Sequence, residues 1–352
     1  MLKPISLTLL LVAGVSAAQQ IQVPPIGEHV NVNLVLLDAV VTDKRGNQIL
    51  GLEPDDFVVK EGGVEQKVNS VDYFTNRKLV DAPESKAPFK AEQVHEQRYF
   101  VFFFDKPEGP APYFDRLNLA RTATKNFIKG DMKDTDFVAV VADDNARLKV
   151  YSDFTNDKQQ LLKAVDQTSA WGRGLLQSNV PEGVPSLLRG GSDRLMDGTS
   201  TVYEALDFIG DQLRSVKARK NIVMFSLGIV APDEIVQNGM VVSTSRYFEP
   251  MIRSLNESNV TVYPISLLES ANTQPLFHQS LQRIAEETNG EYFQFNTNFV
   301  PALKQIEKQS TGYYMISYYT KARTGSGYQK VSVSLKNPEF KVRARQGYAY
   351  NE

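Results

Sequence analysis

The chain has 352 residues, 42% apolar and 23% charged, which describes a globular protein with room for two or three domains and excludes disordered and fibrous classes. Lys plus Arg number 39 against 41 Asp plus Glu, so no global positive field exists to gather nucleic acid or anionic membrane. Cysteine is absent, which removes disulfides, thiolate metal sites and thiol nucleophiles, and the three histidines, His29, His95 and His278, are too scattered for a histidine metal centre.

Residues 1–18 carry the three parts of a secretory signal: a basic start at Lys3, an apolar run from Ile5 to Val15, and small residues up to Ala18, after which cleavage is expected. No later stretch reaches the roughly 18 uninterrupted apolar residues of a membrane-spanning helix. The mature chain is therefore expected to be exported, to the periplasm or beyond, without a transmembrane segment.

Residues 19–75 form an N-terminal β segment. Val30, Val32, Leu34, Leu36 and Val40 alternate along a half-buried strand that turns at Asp43-Lys44-Arg45-Gly46-Asn47. A hairpin follows, Phe57-Val58-Val59-Lys60 turning at Glu61-Gly62-Gly63 into a returning strand from Val64 to Phe74. Residues 76–97, with Pro83, Pro88 and many charges, carry neither period and form a linker.

Residues 98–310 alternate between strand and helix. Tyr99 to Phe104 is a continuous apolar run, as a strand covered on both faces requires, and Phe137 to Val141 is a second. Between them Leu117, Ala120, Ala123, Thr124 and Phe127 mark a helix face. Leu148 to Tyr151 gives an edge strand. Helices Asp157 to Gln167, Val202 to Val216, Tyr247 to Glu257, Pro275 to Thr288 and Phe299 to Gln309 alternate with strands Asn221 to Phe225, Val260 to Ile265 and Tyr292-Phe293. Units of this kind build a doubly wound, mostly parallel α/β sheet.

Residues 311–352 return to β, with strands at Tyr313 to Tyr319, Val331 to Leu335 and Phe340 to Ala344. Lys341, Arg343 and Arg345 fall on one face of the last, which is expected to be solvated. Neither this segment nor residues 19–75 can bury much core alone. The two are expected to pack together, so that the α/β domain is an insertion between two halves of a small β-sandwich.

The hydrophobic strand ending in Asp105, the edge hairpin, the loop Gly198-Thr199-Ser200-Thr201 opening a helix and the strand ending in Ser226-Leu227-Gly228 follow the order of a von Willebrand factor type A domain, which this region resembles. The whole mature chain is similar to a bacterial family of secreted type A-related proteins, frequent in acidobacteria. That likeness is carried by Gly51-Leu52 with Asp56-Phe57-Val58-Val59, by Asp153-Phe154-Thr155, by Ile284 to Gly290 and by the ending Lys341 to Tyr348.

The resemblance implies Mg²⁺ bound by three loops at the C-terminal edge of the sheet, with the partner's carboxylate completing the coordination. The residues depart from that pattern. Asp105 survives, but Lys106-Pro107-Glu108-Gly109 replaces the serine-bearing part of the first loop, Ser200 stands at the threonine of the second, and Leu227 stands where the third loop has an aspartate. Two hydroxyls and a carboxylate are missing and Lys106 adds a positive charge, so no metal or other cofactor is expected; Asp105 and Ser200 are residual positions, with Glu108 and Asp233 as substitutes for an atypical Mg²⁺ site.

The function expected is non-catalytic binding of a protein partner in the periplasm or envelope, at a sheet edge formed by Asp105, Lys106, Glu108, Trp171, Ser200, Ser226 and Asp233. Trp171 lies in the long, glycine-rich loop from Ser169 to Asp197, where it is expected to anchor the loop. The alternatives are a hydrolase using Ser226 with His278, and a structural envelope component. Met224 occupies the glycine position that a nucleophile elbow needs, and no G-x-G-x-x-G or Walker loop follows a strand.

Overall fold

The computed structural model describes residues 32–75, 92–93, 97–107, 111–216, 218–229, 236–237, 240–241, 246–269, 275–321, 323–325 and 327–350. The signal at 1–18, nearly all of the linker at 76–97, His29, His95, Glu108 and Asp233 lie outside these residues.

In chain order the strands of the first segment are β1 (Val32–Thr42), β2 (Phe57–Glu61), β3 (Val64–Gln66), β4 (Val68–Thr75) and β5 (Glu92–Gln93). The α/β region contains β6 (Tyr99–Asp105), α1 (Ala111–Gly130), β7 (Phe137–Asp143), β8 (Leu148–Thr155), α2 (Lys158–Gln167), α3 (Ser192–Asp197), α4 (Val202–Gln212) and β9 (Lys220–Ser226). It continues with β10 (Val236–Gln237), β11 (Met240–Val241), α5 (Phe248–Glu257), β12 (Val260–Ser266), α6 (Pro275–Glu287) and α7 (Val300–Gln309). The chain ends in β13 (Gly312–Lys321), β14 (Gly327–Leu335), β15 (Lys341–Ala344) and β16 (Gly347–Tyr350).

The central sheet has the order β12-β9-β6-β7-β8, parallel except for the antiparallel edge strand β8, and Phe293 adds a parallel bridge beyond β12. Every residue of β6, β9 and β12 is buried, because helices cover both faces. Alternation sorts the side chains. Phe100, Phe102 and Phe104 share a core with Leu117 and Phe127 of α1 and Leu303 of α7, while Val101 and Phe103 share the other with α4, α5 and α6 through Leu206, Leu255 and Ile284. Strand order reverses between β6 and β9, which opens the ligand crevice of a doubly wound sheet at its C-terminal edge.

The two end segments interleave into one sandwich. One sheet runs β15-β1-β13-β4-β5 and the other β16-β14-β2-β3, so each mixes strands from both ends of the chain. Val35, Leu37 and Phe57 meet Tyr314, Ile316, Tyr318 and Val331 in its core. The fold is a doubly wound α/β sheet inserted between the halves of a β-sandwich.

Four local expectations are corrected. The apolar parity read at Leu34 and Leu36 is the exposed face of β1, and Val35, Leu37, Ala39 and Val41 face the sandwich core instead, against Phe57, Val59 and Val331 of the other sheet. The strand expected from Val64 to Phe74 divides at Lys67, where the chain leaves the sheet of β2 and enters that of β1, as strands at sandwich corners do. A fourth strand, β16, closes the chain, pairing with the first half of β14. The basic face of β15 is not wholly solvated: Lys341 is exposed, but Arg345 is buried against the α/β region. Arg345 Nε donates to Asp38 Oδ1 at 2.7 Å and its Nη1 donates to Asn256 Oδ1 of α5 at 2.9 Å. Burial works against ionisation of Asp38, but Arg345 and Arg219 outweigh it and hold the carboxyl below its ordinary value.

Candidate functional site

The register of the central sheet lines up a polar row at its C-terminal edge. Asp143 of β7 pairs with Asp105 of β6, and Ser226 of β9 pairs with Ser266 of β12. Ser226 Oγ donates to Asp105 Oδ2 at 2.5 Å, which joins the two halves of the row, and accepts from Gly228 N–H at 2.9 Å. All four residues are buried. The Asp105 oxygen nearest β9 is therefore engaged by a hydroxyl, a short charge-assisted hydrogen bond.

Asp143 is the residue that sequence reasoning missed. Its Oδ1 accepts from Asn145 N–H at 2.8 Å, while Oδ2 is buried without a hydrogen-bond partner among the described residues. Burial, reinforced by the charge of Asp144, pushes its carboxyl up to about 6 against the opposing pull of the Asn145 N–H and Lys149. A signal was present: β6 and β7 are both apolar runs that end in Asp, at 105 and 143.

The Gly-Thr-Ser-Thr loop is committed to holding α4. Thr199 is buried, its hydroxyl donating to Leu195 C=O at 2.9 Å and accepting from Leu148 N–H at 3.1 Å. Thr201 is the N-cap, accepting from Glu204 N–H at 3.2 Å while Glu204 Oε2 accepts from Thr201 N–H at 3.0 Å, a reciprocal capping box. Ser200 Oγ donates to the same Glu204 oxygen at 2.7 Å. Thr201→Ala is therefore expected to lower stability by about 1 kcal/mol, read as a shift of the urea midpoint without a change in slope.

Lys106, next after Asp105, lies with its ammonium 5.7 Å from the centre of the Trp171 ring, and Arg121 approaches the same ring at 5.5 Å. Arg121 is buried and donates to Thr168 Oγ1, Thr168 C=O and Asn118 Oδ1; burial brings it down to about 10. Among the described residues no carboxylate pairs with Lys106 or Arg121, and Lys149, which donates to the Trp171 carbonyl, takes Asp144 at 2.5 Å.

The long loop that carries Trp171 seals the exposed edge of β8. Trp171 C=O accepts from Lys149 Nζ at 2.8 Å, Gly172 C=O accepts from Tyr151 OH at 3.1 Å and Leu175 N–H donates to Val150 C=O at 2.6 Å. Gly174 runs so close that a Cβ there would stand 2.9 Å from the Val150 backbone. Farther on, buried Asp153 accepts from Ser186 Oγ at 2.5 Å and from Leu187 N–H at 2.8 Å. Covering a sheet edge removes a site for unwanted strand pairing, and here it also fixes the Trp171 ring beside Lys106.

Of the residues expected at the edge, Asp105 and Ser226 are brought into direct contact, Lys106 and Trp171 form a second contact next to them, and Ser200 bonds within its own helix cap. Ser226 and His278 share no hydrogen bond: the Ser226 hydroxyl is fully buried and turned to Asp105, while His278 Nδ1 hydrogen-bonds the Tyr292 hydroxyl. A hydrolytic serine needs a base within reach and an exposed oxygen. Among the described residues no three His, Asp or Glu side chains group as a metal site, and no helix is long and apolar enough to cross a membrane.

No family model matches the chain, and no curated protein does. Solved structures are similar at low identity. The vWF domain of the type V pili tip protein Mfa5 from Porphyromonas gingivalis is 12% identical with a TM-score of 0.40, covering 60% of this chain and 94% of that one. An aerotolerance-related membrane protein from Bacteroides fragilis is 14% identical with a TM-score of 0.38, covering 60% and 98%. The minor pilin PilB from Streptococcus sanguinis is 14% identical with a TM-score of 0.38, covering 63% and 64%. At scores this low the fold assignment stands on the strand order and register described above.

Proposed function

We propose that this chain is an exported, non-catalytic binding protein whose central sheet edge takes an acidic side chain of a protein partner on Lys106 instead of on a divalent cation. The observation that carries the reading is the Lys106 ammonium resting on Trp171 at 5.7 Å, without an ion-pair partner among the described residues. An ammonium on an indole face keeps its donors for a second contact, and the neighbouring Arg121 adds positive potential. The Ser226 hydroxyl on Asp105 supports the same reading, since a cation would have to displace it. Export rests on the signal at 1–18. Neither a metal nor an organic cofactor is part of the proposal.

The test is capture of envelope proteins on the immobilised chain, in EDTA and in Mg²⁺. The partner is expected to be retained equally in both and to bind about tenfold more weakly to Lys106→Glu, a loss of about 1.4 kcal/mol. Capture that required Mg²⁺, or that ignored Lys106→Glu, would reject the assignment.

A further inference from the structure

A cleft of about 390 Å³ lies between the end of α6 and the sandwich, lined by residues of β14 and β15. Two strand edges line it. Val331–Leu335 of β14 pair with β2 on one side only, because β16 covers only Gly327–Lys330, and β15 pairs with β1 alone. On their remaining sides neither run has a strand neighbour among the described residues, and Val331 N–H, reaching Gln346 C=O at 2.8 Å, marks where pairing stops. Unpaired strand edges hold backbone donors and acceptors at the spacing of an extended peptide.

The side chains around these edges are also incompletely matched. Arg343 uses Nη1 on Glu291 Oε2 at 3.0 Å, but that same carboxylate accepts from Gln305 and Gln309, and Arg343 Nη2 is buried without a partner among the described residues. Asn289 is 1% exposed; its amide nitrogen donates to Asp38, and its Oδ1 is likewise unpartnered. The residues that carry these two atoms, Arg343 and Asn289, line the cleft together with Val331, Val333, Val342, Ala344 and Glu286, so a turn of either side chain brings its unused group to a ligand there. Buried polar atoms left without partners are costly, and a ligand that supplies them gains that cost in affinity.

We propose that this cleft binds a short extended peptide segment of a protein partner by strand addition, with an aspartate or glutamate of the segment on Arg343 and β-branched residues against the valines. The inference is separate from the Lys106 edge, since no residue is common to both. Small organic anions would meet Arg343 but not the strand edges.

A random peptide library displayed on phage and panned on the full chain tests it. Selected peptides are expected to carry an acidic residue with Val, Ile or Thr one or three positions away, because Arg343 and its neighbours Val342 and Ala344 point to opposite faces of β15, to bind Arg343→Gln at least about tenfold more weakly and to lose binding to Ser332→Trp, which fills the cleft from an exposed position. Lys106→Glu should leave that binding unchanged. Circular dichroism and melting show that each variant is folded, and peptide binding to Ser332→Trp remains decisive if Arg343→Gln is destabilised. No enrichment, or selected peptides that bind Ser332→Trp like the parent, would overturn the proposal.

Discussion

Removal of residues 311–352 is expected to unfold the sandwich completely while the α/β region remains folded. Strand β13 lies between β1 and β4 and pairs with both, and β14 is the neighbour of β2, so the truncation leaves β1 without a strand partner and β2 with only the three-residue β3. Tyr314, Ile316, Tyr318 and Val331 leave the sandwich core at the same time, and Asp38 loses Arg345. A lone hairpin is marginal in water, so nothing remains to offset the ordering entropy. The central sheet keeps all five of its strands, which fall between Tyr99 and Ser266. Hydrogen exchange should show protection confined to residues 98–310, restored over residues 32–75 when a 311–352 peptide is added in trans. Protection of residues 32–75 in the truncated chain without the peptide would contradict the interleaved arrangement.

Asp143→Asn is expected to stabilise the protein at pH 8 and to do so less as pH falls. The Asp143 carboxyl titrates near 6 in the fold against an ordinary 3.8, so folding favours its protonated form. Its contribution to stability is fully present below pH 3.8 and is lost as pH rises through 6. Above that the charged form costs up to about 3 kcal/mol, and an isosteric neutral amide avoids most of it. Carboxyls held low, such as Asp38 and Asp144, lose stability toward acid, in the opposite direction. The quantity to follow is therefore the difference between variant and parent in urea denaturation at a series of pH values. A gain of about 2 kcal/mol at pH 8 that vanishes near pH 4 is the expected result. A variant less stable than the parent at pH 8 would show that the Asp143 anion has a partner in solution.

The sheet and its insertion were legible because their signals are local and redundant. The run Tyr99 to Phe104 admits only a strand covered on both faces, and two β segments too small to bury a core had to share one. The break at Lys67 was not legible, since either side of it is good strand sequence and only the three-dimensional corner separates them. Arg345 looked like one more exposed cation on an alternating strand. Its partner Asp38 lies 307 residues away, and no spacing rule connects them. At the edge, Asp105 and Ser226 were singled out from motif order, but their hydrogen bond depends on the register of β6 against β9. Asp143 went unseen because the expected motif places nothing on β7, although its burial and unpartnered oxygen mark it out.

The central claim is that the edge works without a divalent cation, and thermal unfolding with and without metal addresses it most directly. A cation at about 100 times its Kd would stabilise the native state by about 2.7 kcal/mol and raise the melting temperature by several degrees. The same melting temperature in excess EDTA as in millimolar Mg²⁺ or Mn²⁺ is predicted, for the parent and for Asp105→Ala separately. A metal-dependent rise in the parent that disappears in Asp105→Ala would contradict the account and place a cation where Ser226 now donates to Asp105.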